Sequence, residues 1–148
     1  MKRFQLELVV GAFLIAGIAA LAWIAIRMGE VGIGDGTYPM RARFTSVSGL
    51  REGAYVELAG VRVGQVVDID IDPEEYTAEV LLALENRVVL QEDTIASIRT
   101  SGIIGDKFVK ITPGGSDIIL EAGDIILETE PSISLEELIS KYIFESDD

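Results

Sequence analysis

The feature that most constrains this chain is a run of nineteen uncharged residues from Leu8 to Ile26. Folded as an α-helix, the run would be about 28 Å long, close to the roughly 30 Å hydrocarbon core of a bilayer. A backbone in lipid must satisfy its own hydrogen bonds, which a helix does within one segment. We therefore predict a transmembrane anchor helix over residues 8–27.

A cleaved secretory signal is the alternative interpretation of this run. Its apolar part would have about 7–15 residues and would end at a small-x-small site, which Ala20-Leu21-Ala22 resembles. The apolar run, however, continues beyond that site through Trp23 to Ile26. This continuation favours an uncleaved anchor, and Trp23 suits the membrane interface.

The charges on either side of the run predict its orientation. Lys2 and Arg3 precede it, whereas nine Lys and Arg face 24 Asp and Glu after Arg27. Because positive flanks stay in the cytoplasm, we expect residues 1–7 to be cytoplasmic and the C-terminal domain to be translocated. The net charge of −13 also argues against a nucleic-acid partner, whose phosphates such a surface repels.

The residues after the anchor indicate one small β domain. Residues 28–37 contain four glycines and are expected to form a linker. Short stretches with alternating apolar residues then follow, separated by turn residues, which predicts a seven-stranded antiparallel β-barrel or sandwich over residues 38–130. The predicted strands are 38–45, 54–58, 63–71, 76–84, 94–100, 108–112 and 125–127.

Residues 131–148 are expected to form an amphipathic helix and a short tail. Ser134 and Glu137 have the spacing of a capping box, with Ser134 as the N-cap residue. The helix can pack on its own barrel or on copies of itself in neighbouring subunits, and the sequence leaves both arrangements open. Five apolar residues recur on one face at helical spacing: Leu135, Leu138, Ile139, Tyr142 and Ile143.

The composition argues against an enzyme. The chain has no histidine and no cysteine, so the usual general base, thiolate nucleophile and zinc ligands are missing. The acidic residues 68–75, taken with Glu79, have the spacing of a calcium loop, but Pro73 occupies the position that requires glycine. We interpret them as a strand with a solvated acidic face and with Ile69 and Ile71 pointing inward, and we predict no metal and no cofactor.

The anchor itself has a weak pattern for helix docking. Ala12, Ala16 and Ala20 recur every four residues with Gly17 beside them, and small residues at this spacing allow close helix approach in lipid. Alanine is common in such helices, so a docking face and an ordinary lipid-facing anchor both remain open.

The most informative soluble segment is the predicted loop around Ile103 and Ile104, which lies between Gly102 and Gly105. Loop tips are normally polar, and leaving two isoleucines in water forfeits roughly 1.5–3 kcal/mol each relative to burial. The pair either folds back into the core of its own subunit or contributes to an apolar surface where several copies converge on one axis.

Three segments carry a resemblance to the MCE-domain family: the pattern GLxxGxxV at 49–56, the pattern GVxVGxV at 60–66, and the loop 97–105. Each is ordinary alone, and their combination is specific. The single domain, N-terminal anchor and C-terminal helix resemble the members that act as the periplasmic subunit of a phospholipid-transporting ABC system. The glycines are interpreted as structural turn residues: Gly49, Gly53, Gly60, Gly64, Gly102 and Gly105.

The resemblance implies a specific assembly and function. In the family the small barrel, the MCE fold, forms a homohexameric ring with a hydrophobic pore, which Ile103 and Ile104 would line here. The helices at 135–143 would extend an apolar tunnel for phospholipid. The partners would be an inner-membrane permease with a cytoplasmic ATPase and a soluble periplasmic lipid carrier, in a system that maintains outer-membrane lipid asymmetry. The competing hypothesis is a monomeric envelope module for ligand binding, protein binding or adhesion.

Overall fold

The computed structural model describes residues 2–29, 34–133 and 135–145. The chain divides into two compact units, Met1–Val31 and Gly32–Asp148.

The first unit is a single helix, α1, over Lys2–Gly29. It begins six residues before the predicted 8–27 because the residues ahead of the apolar run include Lys, Arg, Gln and Glu, which are good helix formers. The stretch Arg3–Arg27 is long and apolar enough to cross a membrane. Near the end of the helix, the guanidinium of Arg27 lies 5.6 Å from the centre of the Trp23 ring.

The second unit contains a strongly curved sheet, so the prediction of a mainly β fold is confirmed. The strands are short and lie within one or two residues of the predicted bounds wherever a strand was expected. They are β1 (Thr37–Phe44), β2 (Tyr55–Leu58), β3 (Val61–Asp72), β4 (Thr77–Glu85), β5 (Ile95–Thr100), β6 (Lys107–Thr112), β7 (Ile125–Ile126) and β8 (Glu128–Glu130).

The topology differs from the predicted seven antiparallel strands. The sheet has eight strands in the order β7-β1-β4-β3-β2-β6-β5-β8. Pairs β1–β4, β3–β4, β2–β3 and β5–β6 are antiparallel, whereas β1–β7, β2–β6 and β5–β8 are parallel. The two edge strands, β7 and β8, are separated only by Leu127, so the sheet curls into a nearly closed barrel. The Thr129 hydroxyl donates to the carbonyl of Arg43 at 2.6 Å and ties β8 back to β1.

The interior of the barrel is filled by the inward-facing residues of the strands. In β1 every second residue from Met40 to Phe44 is buried, as expected for a strand with one face on the core. Met40, Phe44, Leu82 and Leu84 are fully buried. One contiguous apolar core therefore fixes the positions of the loops at both ends of the barrel.

Residues 68–72 of the acidic stretch form the end of β3, so the strand interpretation is confirmed for them. Asp68 and Asp70 are exposed and Ile69 packs against the core, but Ile71 is 63% exposed, so its predicted inward position is wrong. The strand extends beyond the core there. The Asp72 carboxylate accepts hydrogen bonds from the two main-chain amides of residues 74 and 75, which hold the pKa of Asp72 below its ordinary value.

The C-terminal helix, α2, covers Leu135–Glu145. Two side-chain hydrogen bonds, besides one from the Ser132 amide to the Ser46 carbonyl, hold the segment that precedes it against the barrel. The Ser132 hydroxyl donates to the carbonyl of Ser48 at 2.7 Å, and the Lys107 ammonium donates to the carbonyl of Ile133 at 2.9 Å. The predicted N-cap residue, Ser134, lies outside the described residues, so the capping box remains a prediction.

Candidate functional site: an apolar loop at one end of the barrel

The candidate site is the short loop that joins β5 to β6. The amide of Ser101 donates to the carbonyl of Asp106 at 3.0 Å and closes the loop at its base. Gly102 has a φ of +73°, a conformation that side chains rarely adopt. A Cβ at Gly105 would lie 1.9 Å from the Ser101 carbonyl oxygen, so only glycine fits there. The two glycines let the chain turn tightly around Ile103 and Ile104.

The loop holds both isoleucines out of the barrel. Ile103 is 85% exposed and Ile104 is 96% exposed, so the alternative in which they fold back into their own core is wrong. Adjacent exposed isoleucines at a loop tip retain nearly the whole cost of contact with water. Such a feature is typical of a surface that is covered by a partner or an apolar ligand.

Three of the other predicted turn glycines have positive φ angles: +82° at Gly49, +80° at Gly53 and +84° at Gly60. Gly64 is different, because it lies inside β3 and not in a turn. A Cβ on Gly64 would be 2.2 Å from the carbonyl oxygen of Ala83 on β4. Close approach of two strands, rather than chain reversal, requires glycine at that position.

The predicted apolar face of α2 is largely uncovered by the barrel of its own subunit. Leu138 and Ile139 are about half exposed, Ile143 is 58% exposed and Tyr142 is 77% exposed. The side chain of Leu135, the fifth predicted member of this face, lies outside the described residues. Between α2 and the barrel lies a groove of about 370 Å³, lined by Leu138 and Lys141 on the helix side.

A recess next to the loop was not predicted from the sequence. The rings of Tyr55 on β2 and Phe108 on β6 stack with centroids 4.7 Å apart, and the Arg62 guanidinium lies 4.5 Å from the Tyr55 centroid. A cavity of about 360 Å³ opens there, and Arg51 and Lys107 also line it. Periodicity along the chain carries no signal for this cluster, because its members come from three strands and one loop.

No group of three or more Asp, Glu, His or Cys among residues 2–29, 34–133 and 135–145 is arranged to hold a metal ion. The described residues include an apolar loop tip, an apolar helix face and a recess with cationic side chains. These features suit the binding of an amphipathic molecule.

Comparison with known proteins assigns the chain to a family. The family model described as MlaD protein matches residues 36–114, which contain β1 to β6 and the apolar loop. The chain belongs to the MlaD family. The resemblance to MCE-domain proteins seen in the sequence is thereby confirmed.

Relatives of this family match nearly the whole chain. The intermembrane phospholipid transport system binding protein MlaD of Escherichia coli K12 is 34% identical over 154 residues, covering 99% of this chain and 84% of the relative. The protein of the same name from Haemophilus influenzae is 32% identical over 151 residues, covering 98% and 90%.

A solved structure with the same fold is the Acinetobacter MlaFEDB complex in its ATP-bound Vtrans1 conformation. One of its chains superposes with a TM-score of 0.70 at 27% identity, covering 92% of this chain and 97% of that chain. The names of the relatives describe a binding protein of a transport system, not an enzyme.

Proposed function

We propose that this chain is a membrane-anchored, ring-forming subunit of a phospholipid-transporting ABC system. Six copies form a homohexamer whose central pore conducts phospholipid, and the chain itself makes and breaks no covalent bond. The names of the relatives support the coarse part of this proposal, since they specify phospholipid transport between membranes. The similar chain in an ATP-bound complex supports an energy source outside this subunit.

The observation that carries the proposal is the exposure of Ile103 and Ile104, at 85% and 96%. A single subunit leaves both side chains in water, whereas sister subunits around one axis would turn six such loops into an apolar annulus. The acyl tails of a phospholipid would pass through this annulus without contact with water. The apolar face of α2, including Leu138 and Ile139, would extend the tunnel from the loop.

The charges and the anchor support the proposed placement of the complex. Helix α1 would cross the inner membrane once, with residues 1–7 in the cytoplasm and the barrel in the periplasm. The anchor would dock on a permease that carries a cytoplasmic ATPase, and a soluble periplasmic carrier would exchange lipid with the far side of the ring. The system would maintain outer-membrane lipid asymmetry.

The experiment replaces both loop isoleucines by Asp (Ile103→Asp with Ile104→Asp) in the full-length chain, reconstituted with its transport partners. Lipid transfer between vesicles and an acceptor protein is the readout. We expect an assembled particle of unchanged size that transfers no lipid, because charged side chains would line the pore.

The matched control is Ile118→Asp with Ile119→Asp, a second pair of exposed isoleucines, at 61% and 58%, in another loop. This pair should leave transfer intact. Normal transfer by the loop variant would remove the pore assignment. A purified wild-type chain that is a monomer, with no bound lipid, would instead favour the monomeric envelope binding module.

A further inference from the structure

The recess beside the apolar loop has an unusual charge pattern for this acidic chain. Four other arginines of the barrel unit each form an ion pair with a carboxylate: Arg41, Arg43, Arg87 and Arg99. Within the described part of the chain, Arg51 and Arg62 form neither an ion pair nor a hydrogen bond through their guanidinium groups. Both line the same cavity.

The surroundings hold one of these guanidiniums in a defined place. Arg62 lies over the Tyr55 ring, which is itself stacked on Phe108 at an interplanar angle of 12°. Phe108 is only 9% exposed, so the stack is anchored in the barrel wall. A guanidinium held over an aromatic ring can still donate its N–H groups, which match the oxygens of a phosphate.

The recess has room and net positive charge. Its volume is about 360 Å³, within the roughly 300–1,000 Å³ of small-molecule sites. Glu52 and Asp106 also line it, against the three cations Arg51, Arg62 and Lys107. The Lys107 ammonium donates one hydrogen bond to the Ile133 carbonyl and has two further N–H groups.

The recess is next to the loop that contains Ile103 and Ile104. Asp106 and Lys107, which line the recess, follow Gly105 directly in the chain. The Cα atoms of Ile104 and Asp106 are two residues apart and so lie within about 7 Å of each other. An amphipathic molecule with its apolar part on the loop would thus have its polar end within reach of the cations.

We propose that this recess binds the phosphate group of a phospholipid while the acyl tails contact the apolar loop, an inference that rests on the proposed function. The shared chemistry is a phosphate held by Arg51 and Arg62, with Lys107 at the rim. The recess then selects phosphate-bearing lipids over apolar molecules of similar shape, and it holds the headgroup at the mouth of the pore.

The test compares two lipids with identical acyl chains in the purified full-length protein. The protein is incubated in mixed micelles that contain equal amounts of phosphatidylglycerol and diacylglycerol, repurified, and its bound lipid quantified by mass spectrometry. The variant is Arg51→Gln with Arg62→Gln. The control, Arg87→Gln with Lys110→Gln, also removes two positive charges, but at exposed positions elsewhere on the barrel.

We expect the ratio of bound phosphatidylglycerol to diacylglycerol to fall about tenfold in the variant, since charge-assisted hydrogen bonds to phosphate are lost. The control should keep the wild-type ratio, and Arg62→Lys, which keeps the charge but loses the fork, should fall between the two. A variant that loses both lipids equally would overturn the proposal, because the arginines would then only support the loop or the contact between subunits. An unchanged ratio would overturn it as well.

A separate arm titrates the wild-type protein with inorganic phosphate. In one outcome, inorganic phosphate binds to Arg51 and Arg62 as tightly as the lipid does and leaves the ratio of the two bound lipids in the wild-type protein unchanged. That result would assign the recess to a free anion and overturn the headgroup assignment. A wild-type protein that retains neither lipid would remove the proposed function and this inference together. A wild-type protein that binds both lipids without preference would remove this inference alone.

Discussion

Replacing Ile103 and Ile104 by serine separates their contribution to a single subunit from their contribution to an assembly. Within one subunit the two side chains are 85% and 96% exposed, so only small fractions of them are removed from water. Full burial of an isoleucine contributes about 1.5–3 kcal/mol, and those fractions therefore amount to less than about 0.6 kcal/mol for the pair. If sister subunits or lipid cover both side chains, the loss in the assembled state is about 3–6 kcal/mol per subunit.

The assay is urea unfolding of the fragment 32–148, wild type and doubly substituted, at two protein concentrations, with the oligomeric state checked by native mass spectrometry. For single subunits we expect the free energy of unfolding to change by less than about 0.6 kcal/mol. For the assembled particle we expect a much larger decrease in the free energy of unfolding and a smaller amount of bound lipid.

A loss of about 2 kcal/mol or more in the single subunit would refute this reasoning, because it would require the isoleucines to be buried within their own barrel. An assembled particle as stable as the wild type, with the same lipid load, would refute it from the other side. In that case nothing of consequence would cover the loop.

Three further predictions concern the fold and the helix. Gly64→Ala should lower the free energy of unfolding by about 1–3 kcal/mol or more, because the new Cβ would lie 2.2 Å from the Ala83 carbonyl oxygen; thermal melting measures it. Leu138→Glu with Ile139→Glu should weaken assembly or abolish co-purified lipid, as measured by native mass spectrometry. The Asp93 carboxylate accepts two main-chain hydrogen bonds, which lower its pKa below the ordinary 3.8. The stabilisation from Asp93 should therefore be present above pH 3.8 and be lost as the pH falls through the pKa of the folded state. Asp93→Asn should flatten the acid limb of the plot of melting temperature against pH.

The first two of these predictions have matched controls. Gly115→Ala, at a position with open space and no positive φ, should not lower stability. Ser140→Glu adds charge to an exposed position of the same helix outside the predicted apolar face and should leave assembly intact. An equal loss of stability in the glycine control, or of assembly in the helix control, would contradict the corresponding argument. An acid limb unchanged by Asp93→Asn would contradict the third.

The strands that the sequence predicted are those with a local signal. Alternation of apolar residues placed β1 to β7 within one or two residues, because the core face repeats along each strand. β8, with the sequence Glu-Thr-Glu, has no apolar alternation and was missed. It is a strand because its main chain pairs with β5, a partner some thirty residues earlier in the chain.

The pairing directions could not be predicted for a related reason. A short strand has no local feature that states which neighbour it will meet or in which direction. The parallel pairs β1–β7, β2–β6 and β5–β8 each join strands that are far apart in the chain. The inward position predicted for Ile71 failed similarly, since the alternation continues past the end of the core.

The loop could be recognised from the sequence, whereas the recess could not. Two bulky isoleucines between glycines are visible in the sequence. Only the fold could show that they are exposed. The stack of Arg62, Tyr55 and Phe108 was not visible, because the sheet register brings these residues together and no spacing along the chain encodes it. Gly64 gave an ambiguous signal, since both a turn and a close strand contact require glycine.

The most direct test of the central claim is a photoreactive amino acid at position 104 of the full-length chain, irradiated in the native membrane. We expect cross-links to phospholipid and to sister subunits, whereas a probe at position 119 should give neither. Cross-links confined to the probe's own chain, or none to lipid, would contradict the claim that this loop lines a shared lipid path.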